Sequence, residues 1–211
     1  MSIKVEELIG NSQKFRQILV VKYKDLILFI FDNLKKINML MTFFYFLCAV
    51  FLGIAIYSRI VLISVYPFSK IILHSFLGFL IIPIISIPVH EALHVITFYM
   101  SGARNIRMGM DLKQGLFYVV AHRYVASPLQ FIIVALIPFL LISLGTICLI
   151  IMLPSLWKWS FSVFLFFHST MCAGDFAFMN FYYINRDKKI YTWDDADNKT
   201  TYFYEYVGHL V

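Results

Sequence analysis

Four long runs of apolar residues dominate the chain and are separated by short polar segments. Residues 38–57 contain no Asp, Glu, Lys, Arg or His, and residues 71–100, 128–153 and 156–184 are comparably apolar and long. At a rise of 1.5 Å per residue, about 20 apolar residues form a helix that crosses the roughly 30 Å hydrocarbon core of a bilayer. The pattern therefore predicts an all-α integral membrane protein with about four transmembrane helices.

The polar segments have weaker patterns of their own. Residues 1–36 mix lysines with apolar positions, which is typical of an amphipathic helix, either on the cytosolic membrane surface or packed as a solvated helix on the protein. Residues 105–111 and 116–122 are short runs separated by residues 112–115, which predicts a small cytosolic β-hairpin between spans two and three. Residues 186–211 are polar and aromatic, and we expect a cytosolic tail there. Between the N-terminal segment and this tail, residues 37–185 would form one transmembrane domain.

Composition supports a membrane location, and the charge distribution predicts the orientation. Of the 211 residues, 61% are hydrophobic and 14% are charged, and the mean hydropathy is +0.79. A soluble domain of this size is far more polar. The three segments predicted to be cytosolic hold seven, four and four Lys plus Arg, whereas the two external turns hold two and one. The positive-inside rule therefore predicts that both termini lie in the cytosol.

The net charge, the cysteines and the residue usage indicate which partners and which location to expect. The net charge of +6 does not indicate nucleic-acid binding, because the basic residues flank the apolar runs, where they suit anionic lipid headgroups. The three cysteines, Cys48, Cys148 and Cys172, lie in apolar stretches and form no disulfide pattern. The abundance of Lys, Ile, Asn and Phe favours a low-GC bacterium and hence its plasma membrane. The lipid bilayer is the expected partner, and the oligomeric state is left open.

A metal-binding motif lies near the end of the second apolar run. His90 to His94 reads HEALH and matches HExxH, in which two histidines four residues apart share one face of a helix. Both imidazoles can then bind one zinc ion, with Glu91 one step around the helix as a general base. A catalytic zinc site needs a third protein ligand and an open position for water.

Ionisable residues inside the spans are the candidates for that third ligand, since charges in hydrocarbon are costly. Asp175 lies as far along the fourth run as His90 lies along the second, so the two residues have matching depth. His168, two turns before Asp175 and about 10 Å deeper, is the second choice or a polar partner of the site. Cys172 could also bind zinc, although packing is the simpler role. His122 could approach from the hairpin but is more typical of a solvated loop histidine.

Together, these motifs resemble the zincin peptidases of the DUF3267 family. The resemblance rests on HEALH near a helix end, the β-like loop, the stretch AHRYVASPLQFIIVALIPF over residues 121–139, and the later Gly174-Asp175. That family is similar in plan to site-2 proteases, which are intramembrane zinc metalloproteases. The resemblance implies that His90, His94 and Asp175 hold zinc and that Glu91 is the catalytic base.

Two functions are therefore expected. The first is a membrane-embedded zinc metalloprotease that cleaves membrane-protein or peptide substrates with a water molecule activated by zinc and Glu91. The alternative is a non-enzymatic, partner-binding membrane subunit with a structural zinc or polar cluster, closed by Cys172 or His168 as a fourth ligand. A transporter is less well supported, because the four spans show no internal repeat.

Overall fold

The computed structural model describes residues 3–62, 65–111 and 115–208. The described chain is mostly helical and carries two small antiparallel sheets. Its α-helices are α1 (Val5–Gly10), α2 (Leu26–Leu34), α3 (Met39–Leu62), α4 (Phe68–Phe76), α5 (Ile82–Met100), α6 (Pro128–Met152), α7 (Ser155–Met171) and α8 (Ala173–Ile184). Its strands are β1 (Phe15–Lys22), β2 (Ile106–Asp111), β3 (Leu116–Ala121), β4 (Ile190–Asp195) and β5 (Thr200–Tyr206). The predicted fold, all-α apart from one hairpin, is therefore wrong over β1, β4 and β5.

The long helices account for the four apolar runs. Three helical stretches are long and apolar enough to cross a membrane: α3, the continuous Phe68–Met100 stretch that contains α4 and α5, and α6. The α7 and α8 helices form a fourth span if the pair, bent by 43°, is counted as one. Most of the surface of α3 and α6 is exposed and apolar, which lipid tails would cover. These lengths and surfaces suggest a membrane protein.

A π-helical turn at Leu77–Ile81 joins α4 to α5 and crosses α7 closely. A Cβ atom built on Gly78 would lie 2.3 Å from the backbone oxygen of Ser160 in α7. Only glycine allows this approach, as is common where membrane helices cross. The crossing fixes the position of the span that carries the HEALH motif.

The N-terminal segment and the tail fold together into one three-stranded sheet with the order β1-β5-β4, antiparallel throughout. The prediction of an amphipathic helix is wrong over Phe15–Lys22, which form β1. This segment, FRQILVVK, contains three β-branched residues, and its pairing with β5 outweighs the helical spacing of Phe15 and Leu19.

The sheet has two different faces, because side chains alternate along each strand. On β4, Tyr191 and Trp193 pack with the buried α1 residues Val5 and Leu8. The opposite face of β4 turns toward the spans, and Ile190 packs there against Tyr182 of α8. The sheet therefore covers one end of the helical bundle.

The predicted hairpin is confirmed. Strands β2 and β3 pair antiparallel, with Ile106 opposite Ala121 and Asp111 opposite Leu116. Residues 112–114 of the predicted connection lie outside the described residues. An isolated bridge between His122 and Asp194 links the end of the hairpin to the three-stranded sheet.

Asn180 of α8 holds α2 in place. Its buried side-chain amide donates to the backbone oxygens of Asn33 (2.7 Å) and Lys36 (2.9 Å), and its oxygen accepts from Asn38 (2.5 Å). The carbonyls at a helix C-terminus need such donors. As a result, α2 lies along α8, with the Ile30 side chain 3.6 Å from where a Cβ on Gly174 would be.

Candidate metal centre

Helices α5 and α8 bring three of the predicted site residues together. The Nε2 atoms of His90 and His94, one turn apart on α5, lie 3.1 Å from each other. Asp175 of α8 places one carboxylate oxygen 3.3 Å from Nε2 of His90 and the other 3.4 Å from Nε2 of His94. Both histidines are buried, and Asp175 is partly exposed.

These separations suit a zinc ion. Zinc binds imidazole nitrogen at about 2.0–2.1 Å and carboxylate oxygen at about 2.0–2.2 Å, in tetrahedral geometry. Such distances require ligand atoms about 3.3–3.5 Å apart. The two nitrogens are 3.1 Å apart, and each lies 3.3–3.4 Å from a different oxygen of the Asp175 carboxylate. These separations are close to the required range, so the three side chains can hold one ion.

The backbone of α6 orients His94. This helix begins at Pro128 after a capping box formed by Ser127 and Gln130, and it runs beside α5. The carbonyl of Val134 lies 3.0 Å from Nδ1 of His94 and can accept its hydrogen. Nε2 is then unprotonated and directed at the metal position, as is typical of zinc-binding histidines.

His168 and Cys172 meet the other nitrogen of His90. Nδ1 of His90 lies 3.5 Å from Nε2 of His168 and 4.0 Å from Sγ of Cys172. These three residues form a second group with spacing suitable for a metal, and the side chains of His168 and Cys172 are fully buried. Because they face Nδ1, they do not join the His90, His94 and Asp175 group as a fourth ligand; no group of four is found among the described residues.

The expected 10 Å offset of His168 did not separate it from the site. That estimate used the rise along the helix, whereas the imidazole ring of His90 reaches α7 with one nitrogen and α8 with the other. The structure thus places His168 in contact with His90. A polar partner of the site was one of the two roles expected for His168.

Glu91 is buried beside the two histidines and lines the same cavity as they do. No hydrogen bond or ion pair to its carboxylate is found within the described residues. The group is therefore available to a molecule that enters the cavity, as a general base must be.

Two other histidines of the described residues lie elsewhere. His122 accepts a hydrogen bond from the backbone of Ala196 and lies 3.5 Å from Asp197, beside the three-stranded sheet. His74 at the far end of α4 contacts the hydroxyl of Ser160 at 2.8 Å. Neither residue belongs to the metal centre.

A cavity of about 390 Å³ opens beside the metal centre and extends to the three-stranded sheet. Its walls come from α2, α5, β3, α6, α8 and the sheet. Most lining side chains are apolar or aromatic, and the polar residues beyond the metal centre are Tyr23, Tyr118, Asp194 and Thr201. The hydroxyl of Thr201 donates to Asp194 at 2.6 Å. Burial raises the pKa of the Asp194 carboxyl to about 6, and the Thr201 hydrogen bond opposes the shift.

Sequence reasoning did not foresee the part of this cavity formed by α2 and the sheet. Tyr23, Leu26 and Asp194 lie in the segments interpreted as a surface helix and a polar tail. The pairing of β1 with β5 joins these two segments of the chain, and no local pattern predicts a pairing between residues more than 170 positions apart.

Comparison with known sequences bears on the same region. Residues 83–191, more than half of the chain, match the profile of the DUF3267 family, described as "Putative zincin peptidase". The match contains HEALH, β2, β3, α6, α7 and α8. No curated protein and no solved structure matches the chain.

Proposed function

The chain belongs to the DUF3267 family, and on this basis we propose that it is a membrane-embedded zinc metalloprotease. The observation that carries the proposal is the meeting of His90, His94 and Asp175 at 3.1–3.4 Å in a cavity that also holds Glu91. A peptidase of the zincin type needs this combination of metal ligands and a free carboxylate.

The protein side chains would divide the work. His90, His94 and Asp175 hold the ion, which when bound polarises a substrate carbonyl and acidifies water. Glu91 accepts the proton of the attacking water and passes it to the leaving amine. The apolar cavity walls restrict bulk water, so the charges act in surroundings of low polarity.

A substrate would bind as an extended chain. Residues 117–120 of β3 line the cavity, and β3 has a full strand partner, β2, on one side only within the described sheet. Its other edge can pair with a peptide by strand addition. We place this cavity at the cytosolic side of a bacterial plasma membrane, with both termini cytosolic.

The first test is the metal content of detergent-purified protein. We expect one zinc per chain in the wild type and loss of zinc in His90→Ala, His94→Ala and Asp175→Ala. Ser143→Ala, which removes a buried hydroxyl from α6 outside the cavity lining, is the folding control and should keep its metal.

The second test separates binding from chemistry. Glu91→Gln should retain zinc and lose cleavage of quenched fluorescent peptides presented in detergent micelles. Cleavage at the wild-type rate by this variant would overturn the mechanism, and a folded wild type without zinc would overturn the metalloprotease assignment.

A non-enzymatic protein with a structural metal cluster is the second candidate. The group formed by His90, His168 and Cys172 favours it. Cobalt substitution distinguishes the two, because only a site with Cys172 as a ligand gives an intense thiolate-to-cobalt charge-transfer absorption.

A further inference from the structure

Asp194 is a carboxylate that the proposed chemistry does not use. It follows Trp193 on β4, on the face of the sheet that turns toward the spans, and it lines the cavity that contains the metal centre. The hydroxyl of Thr201 is its side-chain hydrogen-bond partner. Among the described residues, no lysine, arginine or histidine forms an ion pair with it.

The lining of the whole cavity also has an excess of acidic side chains. Its lining includes three carboxylates, from Glu91, Asp175 and Asp194, and within the described residues it includes no lysine or arginine. Asp175 would bind the ion directly, and Glu91 lies beside the two histidine ligands. Asp194 lies on the sheet instead, has no ion-pair partner among the described residues and is half-buried, and such a charge is costly without a partner.

Asp194 and the metal centre line the same cavity from different elements. Tyr182, seven residues after Asp175 on α8, contacts the hydroxyl of Thr192 through its own hydroxyl, and Asp194 follows Thr192 on the same face of β4. An extended peptide in this cavity can therefore contact the two groups with different residues.

We propose that Asp194 forms a subsite for a lysine or arginine side chain of the substrate. The inference rests on the proposed peptidase function and adds a substrate class to it. The rings of Tyr23 and Tyr118 line the same region and can pack against the aliphatic part of such a side chain. Membrane-spanning segments carry Lys and Arg at their cytosolic ends, so they offer this residue at the required depth.

The test measures binding without turnover, in the Glu91→Gln background. The probes are two dansylated tetraleucine peptide amides, one ending in lysine and one in norleucine, titrated into detergent-solubilised full-length protein. We expect the lysine peptide to bind at least about tenfold more tightly, as for a hydrogen-bonded charge pair. Asp194→Asn, which keeps the acceptor for Thr201, should abolish the preference.

Asp195→Asn is the matched control. Asp195 is the next residue on β4, accepts hydrogen bonds from Asn198 in the turn and does not line the cavity. This variant should keep the preference for lysine. Asp194→Glu, which keeps the charge, should also keep the preference for lysine. This second variant keeps the proposal testable if Asp194→Asn fails to fold.

The outcomes separate this inference from the proposed function. Equal binding of the two peptides by the Glu91→Gln protein, or a lysine preference that survives in Asp194→Asn, would overturn the subsite. A lysine preference that depends on Asp194, in a protein whose Glu91-containing form cleaves neither peptide, would support the subsite and count against the peptidase.

Discussion

His168→Ala is the substitution that most directly tests how the metal centre is built. The imidazole of His168 is the nearest polar contact of Nδ1 of His90, at 3.5 Å, and it is fully buried. In the proposed site His90 binds zinc through Nε2, so the hydrogen on Nδ1 needs an acceptor, and Nε2 of His168 can supply one. His168 is then a positioning residue that acts through His90.

The expected loss follows from this geometry. Removing the imidazole leaves Sγ of Cys172, 4.0 Å from Nδ1 of His90, as the remaining neighbour, and sulfur is a weak acceptor. Loss of a hydrogen bond that orients a metal ligand typically lowers metal affinity about 10- to 100-fold. This corresponds to about 1.4–2.7 kcal/mol of binding free energy.

The assay is a competition titration of zinc against a chromophoric chelator, using detergent-purified protein. His168→Gln, whose amide oxygen can accept the same hydrogen, should recover most of the affinity that His168→Ala loses. Cys172→Ala serves as the neighbouring control, since it deletes a buried contact of His168 without removing the acceptor, and it should bind zinc nearly as the wild type does.

Two results would refute the reasoning. Wild-type zinc affinity in His168→Ala would show that His90 does not depend on this contact. Complete loss of metal in both His168→Ala and Cys172→Ala, with thiolate charge-transfer absorption in the cobalt-substituted wild type, would show that the ion lies among His90, His168 and Cys172.

Three further predictions concern stability, each measured as the thermal midpoint in detergent. The pKa of Asp194, about 6, lies above the unfolded value of about 4, so the stability that its neutral form contributes is complete below pH 4 and is lost as the pH rises through 6. This fall is on the order of 3 kcal/mol, and Asp194→Asn should flatten it. Asn180→Ala leaves two backbone carbonyls without their donor and should cost roughly 2–5 kcal/mol, whereas Asn185→Ala loses a single hydrogen bond and should cost about 1 kcal/mol. Gly78→Ala forces a Cβ against the α7 backbone and should cost at least about 1–3 kcal/mol, while Gly53→Ala, with no atom within 4 Å, should be nearly neutral; equal effects in either pair would contradict these assignments.

Helical periodicity and span depth were sufficient to bring much of the centre together from sequence. Residues four apart on a helix share a face, which predicts the pairing of His90 with His94. Matching depth in two spans of the same direction predicts that Asp175 faces His90, and the structure puts their side chains 3.3 Å apart. Both arguments use one coordinate, the distance along a helix axis.

The distance along a helix axis was insufficient to predict the rest of the site and the sheet. It separated His168 from the site because it ignored the width of an imidazole ring, which reaches partners on both sides of His90. It also gave no information on β1, whose residues Phe15 and Val21 have their strand partners at the other end of the chain. Propensity alone is a weak guide where such distant pairing decides the structure.

The pairing of β1 with β5 also imposes an order on biosynthesis. Phe15 is translated early and pairs with Tyr206, which the ribosome reaches only after every apolar helix has been made. Until then β1 lacks its only neighbour within the described sheet, and the cavity wall that contains Tyr23, Asp194 and Thr201 cannot form. A nascent chain can therefore form its long helices and bring His90, His94 and Asp175 together first, and it completes the cavity beside them only after synthesis has passed β5.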